Sequence, residues 1–428
     1  MIGLKRGTVA LYEHEKEWEA EAQKTICLLK KILGNVLKDI QHVGSTSVPS
    51  IKAKPIIDIA AAADSFDDVL AFEKELEDNG FYYRPNARSS LKNQLLFACG
   101  SYYDGSGDLQ THFIHVVRTN SIDWLNYINF RDYLNSTPSA AKEYEDLKIS
   151  LALQAPEDSG REKYLSGKHD FIVYTLRKAL AYSYLGKTVT VKIDRPIGYV
   201  HKKDKYALTY PVNYGYIPGV TGGDGEELDV YLLGVDTPVK EYTAQIIGIV
   251  HRHNDAEDKL VAAPDGAVFN QAEIAEAVNF QEQYYKTEID AVYQKSCGAI
   301  VFRKNNGITE YLCLLQKQSG TYSVPKGHME AYETEEQTAM REIFEEIGIS
   351  TEFLSNFRAE IRYDINNNKH KTLILFIAEY NGELNVSDIE ISDYCWLACN
   401  EAIQILPEWY GAVIKKAERK IEMIKKDI

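Results

Sequence analysis

The rhythm of apolar positions changes twice along the chain. From Trp18 to Gly34, apolar and charged residues recur at helical spacing and predict a surface helix. Lys54-Pro55-Ile56-Ile57-Asp58-Ile59-Ala60-Ala61 is an apolar run carrying one acid, as in a buried strand. From Gly186 the period drops to two, and Lys187 to Ile193 alternates as a half-buried strand does. Turns rich in Gly and Pro follow at short intervals (Pro196-Ile197-Gly198, Pro218-Gly219, Gly222-Gly223) and predict a small β-barrel. Phe280 to Tyr285 predicts a closing helix. Beyond it, Gly298 to Arg303 and Tyr311 to Gln316 predict two strands joined by the turn Asn305-Asn306-Gly307. Thr372 to Tyr380 and Tyr394 to Leu397 predict further strands, and Ala402 to Lys426 a final helix.

Between the two pairs of strands lies Val324 to Ile349. Its second half predicts a helix with marked ends. Thr334 and Gln337 have capping-box spacing, and Gly348 suits the left-handed residue that stops a helix. Ala339, Met340, Ile343, Phe344 and Ile347 would form its apolar face. Glu342, Glu345 and Glu346 would share the other. Three carboxylates this close repel one another unless a cation sits among them, and hard cations such as Mg²⁺ take oxygen ligands of this kind. Arg341 can pair with Glu345 or reach back to Glu333, and the sequence leaves the two open.

A chain of 428 residues is too long for one core. The breaks in pattern divide it into segments 1–182, 183–290 and 291–428. The net charge of −15 argues against a surface that coats a nucleic-acid duplex, but not against small nucleotides. Six scattered cysteines without a paired C-x-x-C point to reduced thiols and a cytoplasmic protein. The N-terminal stretch has no apolar signal core, and no apolar run approaches the roughly 20 residues that span a bilayer. The expected partner is a small nucleotide, without membrane or duplex; the oligomeric state stays open.

Gly327, Glu333, Arg341, Glu342, Glu345, Glu346 and Gly348, with apolar Ile343 and Ile349, fill every position of the Nudix box. The last segment therefore resembles Nudix hydrolases. That resemblance implies an α/β/α sandwich and hydrolysis of a nucleoside diphosphate linked to another moiety, with Mg²⁺ or Mn²⁺. Glu342, Glu345 and Glu346 would hold the metal, with the Gly327 carbonyl as a further ligand. Arg341 and Glu333 complete the catalytic set, and one glutamate, or an acid outside the box, would take the proton from water. Lys326 and His328 would contact substrate phosphate. The run Pro325 to Glu330 is similar to that of dinucleoside polyphosphate hydrolases, which implies asymmetric cleavage of diadenosine tetraphosphate.

In the first segment, Gly44-Ser45 can present a hydroxyl and backbone donors to phosphate, and Asp58 follows on the predicted strand. HVGSTSVP, KPIIDI, His112 to Val117, Phe130 to Leu134, and the spaced Tyr144, Lys148, Arg161, Tyr164 and Lys168 resemble the GrpB family. The fold implied is nucleotidyltransferase-like. Ala60 stands where that wider pattern has a second acid, so Gly44, Ser45 and Asp58 are expected to bind nucleotide or phosphate rather than transfer it. His112 and His115 lie three apart on a strand and should face opposite ways.

In the middle segment, Tyr210 to Pro218 and Asp224-Gly225-Glu226-Glu227-Leu228-Asp229 resemble soluble inorganic pyrophosphatases. The resemblance implies a barrel in which Asp224, Glu226 and Asp229 hold a divalent ion and Tyr214 and Lys259 contact phosphate. Two further readings stand beside the hydrolase. One makes the barrel itself a pyrophosphatase, and the other makes the first two segments nucleotide-binding regulators or scaffolds.

Overall fold

The computed structural model describes residues 1–85, 93–154, 161–203, 206–222, 225–366, 369–380 and 382–424. The chain divides into two compact units, Met1–Ser183 and Tyr184–Ile428.

The first unit is built on a five-stranded sheet in the order Leu37–Val43, Ile57–Ala63, His112–Arg118, Gln94–Cys99, Tyr82–Tyr83. Ile57–Ala63 lies between Leu37–Val43 and His112–Arg118 and runs parallel to the latter. Its alternation splits the packing. Ile57, Ile59, Ala61 and Ala63 meet the helix Lys16–Leu33 in one core, while Ala60 and Ala62 meet Trp124 of the helix Ile122–Ser136 in another. Asp58 belongs to the second face by its period of two. The helix Lys16–Leu33 is expected from its pattern, and it buries Trp18, Ile26 and Leu29 completely enough to form the core of this unit.

The second unit begins with a closed barrel. Lys259–Ala263, Glu227–Leu232, Asn213–Thr221, Thr188–Arg195 and Glu241–Arg252 pair in turn, and Glu241–Arg252 pairs back onto Lys259–Ala263. Thr287–Ala291 extends the sheet from Glu241–Arg252. The helix of this segment runs Gln271–Glu282, so the expected helix at Phe280–Tyr285 overlaps only its last residues, and Gln283 to Tyr285 lie beyond it. Its start is a capping box of Asn270 and Glu273.

A seven-stranded sheet follows. Its main path is Tyr322–Ser323, Ile308–Gln316, Tyr293–Asn305, Lys369–Glu379, Ala359–Asn366, with Lys326–His328 paired to Tyr293–Asn305 and Ile391–Ala398 to Ile308–Gln316. Leu373, Leu375 and Ile377 pack on one face against the helices Cys399–Ile405 and Gly411–Ile424. Ile374, Phe376 and Ala378 pack on the other against Ala339, Ile343 and Ile347 of the helix Glu335–Ile347. These are the three layers of an α/β/α sandwich. The single final helix expected from Ala402 onward is broken in two, because Pro407 between them cannot continue a helix.

The helix Glu335–Ile347 has both expected ends. Thr334 and Gln337 close a capping box, and Gly348 stops the helix at φ 74°. Its faces need a correction. Met340 and Phe344 are exposed, while Glu342 and Glu346 are buried beside Ala339 and Ile343. The short strand Lys326–His328 covers that side of the helix, so two acids take the inward position that the periodicity assigned to apolar residues.

Candidate active site

Gly327 lies in Lys326–His328, paired with Ser296–Gly298. A Cβ on Gly327 would fall 2.0 Å from the Glu342 carboxylate, so only glycine lets backbone and acid meet there. Glu346 accepts the Lys326 amide at 3.1 Å. Burial pushes the Glu346 carboxyl up to about 7, against the pull of Lys326. Burial also raises Glu342, although Arg341 opposes it. Glu390 adds negative field on both acids. Glu345 is half exposed.

Arg341 ties the loop to the helix by making both alternatives at once. It donates to Glu333 at 2.7 and 2.9 Å, to Glu342 at 2.6 Å, to Glu345 at 3.1 Å and to the His328 carbonyl at 2.9 Å. The guanidinium beside Glu333 holds that carboxyl down at about 2. On the other side, buried Lys371 donates to His328 Nε2 at 2.8 Å. Burial and then Lys326 hold the Lys371 ammonium down at about 7. Lys371 and Glu390 lie far from the box in sequence. Glu390 is an acid outside the box, and no short-range pattern in the sequence marks Lys371.

Among the described residues no three His, Cys, Asp or Glu side chains converge tightly enough to form a ready metal cage. The donor chemistry nevertheless fits a divalent cation. Two buried carboxylates have raised proton affinity beside the Gly327 backbone, and a cation there would relieve the cost of charging them.

The barrel cluster is organised differently. Lys259, almost fully buried, donates to both Asp229 and Glu257. Burial works against its charge, but the two acids hold the ammonium above its ordinary range. Tyr214 is buried against Tyr231 and Tyr210, and burial followed by Asp229 raises its hydroxyl. Glu226 is exposed, and Asp224 lies outside the described residues.

In the first unit Gly44 takes φ 72° and lies against Asp58, whose Oδ2 would sit 2.5 Å from a Cβ. His115 Nε2 is 3.5 Å from Asp58 Oδ1. His112 faces elsewhere, bonded to Thr25 at 3.2 Å. Gly44, Ser45, Asp58 and His115 border a cavity of about 830 Å³. Its other charged lining residues are Lys5, Arg6, Lys54, Arg84 and Lys168. Lys54 and Lys168 both lie over the Tyr164 ring, at 4.0 and 4.8 Å.

Three families match along the chain. The GrpB protein family matches residues 8–178, inorganic pyrophosphatase 186–295 and the NUDIX domain 292–417. The glutamate-rich protein GrpB of Alkalihalophilus pseudofirmus is 38% identical over 173 residues, which cover 40% of this chain and 96% of that protein. The chain spans 39% and 62% of the length of two further curated relatives of this segment, from Bacillus subtilis and Pseudomonas aeruginosa. An asymmetrical bis(5'-nucleosyl)-tetraphosphatase of Mus musculus is 38% identical over 125 residues, covering 26% of this chain and 83% of the mouse protein. A crystal structure of conserved protein GrpB from Enterococcus faecalis covers 41% of this chain and 99% of its own, with 30% identity and a TM-score of 0.37. Among the described residues no helix is long and apolar enough to cross a membrane.

Proposed function

We propose that this chain, which belongs to the GrpB family through its first segment and to the NUDIX family through its last, hydrolyses a dinucleoside polyphosphate in that last segment. Its NUDIX domain is a pyrophosphohydrolase of nucleoside polyphosphates. The finer substrate is supported by the mouse tetraphosphatase kinship and by Pro325-Lys326-Gly327-His328-Met329-Glu330. The observation that carries the reading is the arrangement around Gly327. Buried Glu342 and Glu346 meet the strand that carries it, and Lys326, His328 and Lys371 gather beside them.

Each residue has a task in this reading. Glu342, Glu345 and Glu346 would hold a divalent cation with the Gly327 carbonyl, Mg²⁺ being first choice and Mn²⁺ the alternative. When bound, that ion neutralises the phosphate and lowers the pKa of the attacking water. Lys326, His328 and Lys371 would take the phosphate oxygens. One of the box glutamates, or Glu390 outside the box, would accept the proton from water. Arg341 and Glu333 fix the loop that carries His328.

The test is a screen of the purified chain against dinucleoside polyphosphates, nucleotide sugars, nucleoside triphosphates and pyrophosphate, with Mg²⁺ and with Mn²⁺. Dinucleoside polyphosphates should give the highest kcat/KM, and Glu345→Gln should abolish most of it. Full turnover in that variant would remove the NUDIX assignment. Pyrophosphate hydrolysis lost in Asp229→Asn but kept in Glu345→Gln would instead make the barrel a second enzyme, with Tyr214, Glu226, Asp229 and Lys259 as its working residues.

A second reading concerns the first unit. Gly44, Ser45 and Asp58 border a cavity whose other charged lining is five cations, in a chain of net charge −15. That supports binding of a nucleotide or phosphate there. Its volume lies within the range of small-molecule sites. Loss of one bound ATP per chain in Lys168→Ala, measured by calorimetry in a Glu345→Gln background, is the expected result.

A further inference from the structure

The loop Met329–Tyr332 joins His328 to Glu333, so it sets the spacing between the phosphate side of the NUDIX site and the anchor of Arg341. Within the NUDIX segment its first residues are held, the Met329 amide donating to the Lys295 carbonyl at 3.0 Å and the Glu330 amide to Glu333 at 3.1 Å, which leaves its tip at Tyr332. Tyr332 is two-thirds exposed and sits at φ 65°, a region that aromatic residues rarely occupy unless something holds them there.

What holds Tyr332 comes from the barrel segment. The Tyr332 amide donates to Glu276 at 2.6 Å, and Asn279 donates to the Tyr332 hydroxyl at 3.2 Å. Buried Gln271 bonds three times: its amide donates to the carbonyls of Lys295 at 2.7 Å and Met329 at 2.9 Å, and its oxygen accepts the Lys295 amide at 2.7 Å. All three residues lie on the helix Gln271–Glu282. That helix is itself fixed at both ends. Asn270 and Glu273 cap its start, and Glu282 at its end accepts from Arg252 at 2.6 and 2.9 Å and from Tyr231.

We infer that this helix is a positioning element for the hydrolase, and that Gln271, Glu276 and Asn279 set its turnover by fixing the loop Met329–Tyr332. Arg341 grips the loop from inside the NUDIX fold, at the His328 carbonyl and at Glu333. The barrel helix grips it from outside. None of the three residues touches the box glutamates in the structure, and none is a catalytic residue. Their effect passes through the placement of His328 relative to Lys371, Glu342 and Glu346. The middle segment thereby contributes to the NUDIX reaction whether or not it has an activity of its own.

The inference rests on the NUDIX site being the hydrolase. The test uses the full chain with diadenosine tetraphosphate and Mg²⁺. Glu276→Ala and Gln271→Ala should lower kcat by roughly 10- to 100-fold, the scale of a small misplacement of reacting groups, with a much smaller change in KM. Glu276 is exposed, so its alanine variant should melt with the wild type. Glu276→Gln keeps an oxygen acceptor for the Tyr332 amide and should restore most of kcat. Hydrogen exchange at the Tyr332 amide should quicken in Glu276→Ala and return to normal in Glu276→Gln. Unchanged kcat in both alanine variants would overturn the inference, as would equal losses in Glu276→Ala and Glu276→Gln. An inactive wild type would count against the substrate reading, and the exchange result would still decide whether the helix fixes the loop.

Discussion

In the barrel, Asp229 and Glu257 close on Lys259; in the NUDIX segment, Glu342 and Glu346 share no such ammonium. Arg341 reaches Glu342 and Glu345, but Glu346 has only the Lys326 amide within bonding distance among the described residues. The consequence appears in proton affinity. Lys259 is held above its ordinary range by its acids, while Glu346 is pushed up to about 7 by burial. One cluster is neutralised from within. In the other, a divalent cation from outside would relieve the cost of charging the buried acids, in keeping with the metal and polyphosphate site proposed there.

The largest expected effect breaks the comparison on the NUDIX side. Glu345→Gln should lower hydrolysis of a dinucleoside polyphosphate roughly 10²- to 10⁴-fold, the range for losing a group that handles protons or charge at the reacting centre. Glu345 is half exposed, so the fold should be unaffected. Circular dichroism and steady-state rates on the same preparation check both halves. Asp229→Asn in parallel should leave this rate nearly unchanged.

The box was legible in sequence because its signals are local. A capping box, a terminal glycine and i, i+3, i+4 acids all fall within one helix, and the structure has that helix from Glu335 to Ile347 with both ends. The same local reading failed on which way the acids face. Periodicity counts carboxylates as outward residues, but the strand Lys326–His328 lies over them, and Met340 and Phe344 are turned out instead. Lys371 and Glu390 were not legible for a related reason. They come from a strand and a loop brought alongside by sheet pairing, and no short-range pattern records that. The barrel helix was legible only at its end, because its start signal is Asn270-x-x-Glu273, a capping box well upstream of the aromatic stretch Phe280–Tyr285. Glu276 and Asn279, which hold Tyr332, both lie in the part of the helix before Phe280.

The next effect tests the other side. Lys259→Met should destabilise the chain by about 3–5 kcal/mol, because it takes the ammonium away from buried Glu257 and half-buried Asp229. Denaturant melts followed by tyrosine fluorescence measure it. If the cluster is neutralised from within, Mg²⁺ should stabilise this variant more than it stabilises the wild-type barrel. No loss of stability would mean that the two clusters do not differ as described.

A pH series separates Arg341's structural role from the chemistry. Glu333 is depressed to about 2, first by its hydrogen bond from Arg341. A depressed carboxyl stabilises the fold fully above its ordinary value near 4.5, and that stability is lost as pH falls from there towards 2. The loss should amount to about 2–3 kcal/mol. Glu333→Gln should start lower at pH 7 and fall less between pH 5 and pH 3. Parallel curves for the two proteins would mean that the pair contributes nothing to stability.

The smallest effect separates scaffold from electrostatics within the box helix. Thr334 accepts the Gln337 amide at 3.2 Å, and Gln337 accepts the Thr334 amide at 2.8 Å. Thr334→Ala removes one of the two and should cost about 1 kcal/mol. Turnover should hardly move. The helix stays fixed by Gly348 at its end, by Ala339, Ile343 and Ile347 in the core, and by Arg341 bound to Glu333. A large loss of kcat with so small a loss of stability would show that Glu342 and Glu346 depend on the helix start for their position. The contrast with the barrel would then lie in how firmly each cluster is held rather than in which cation completes it.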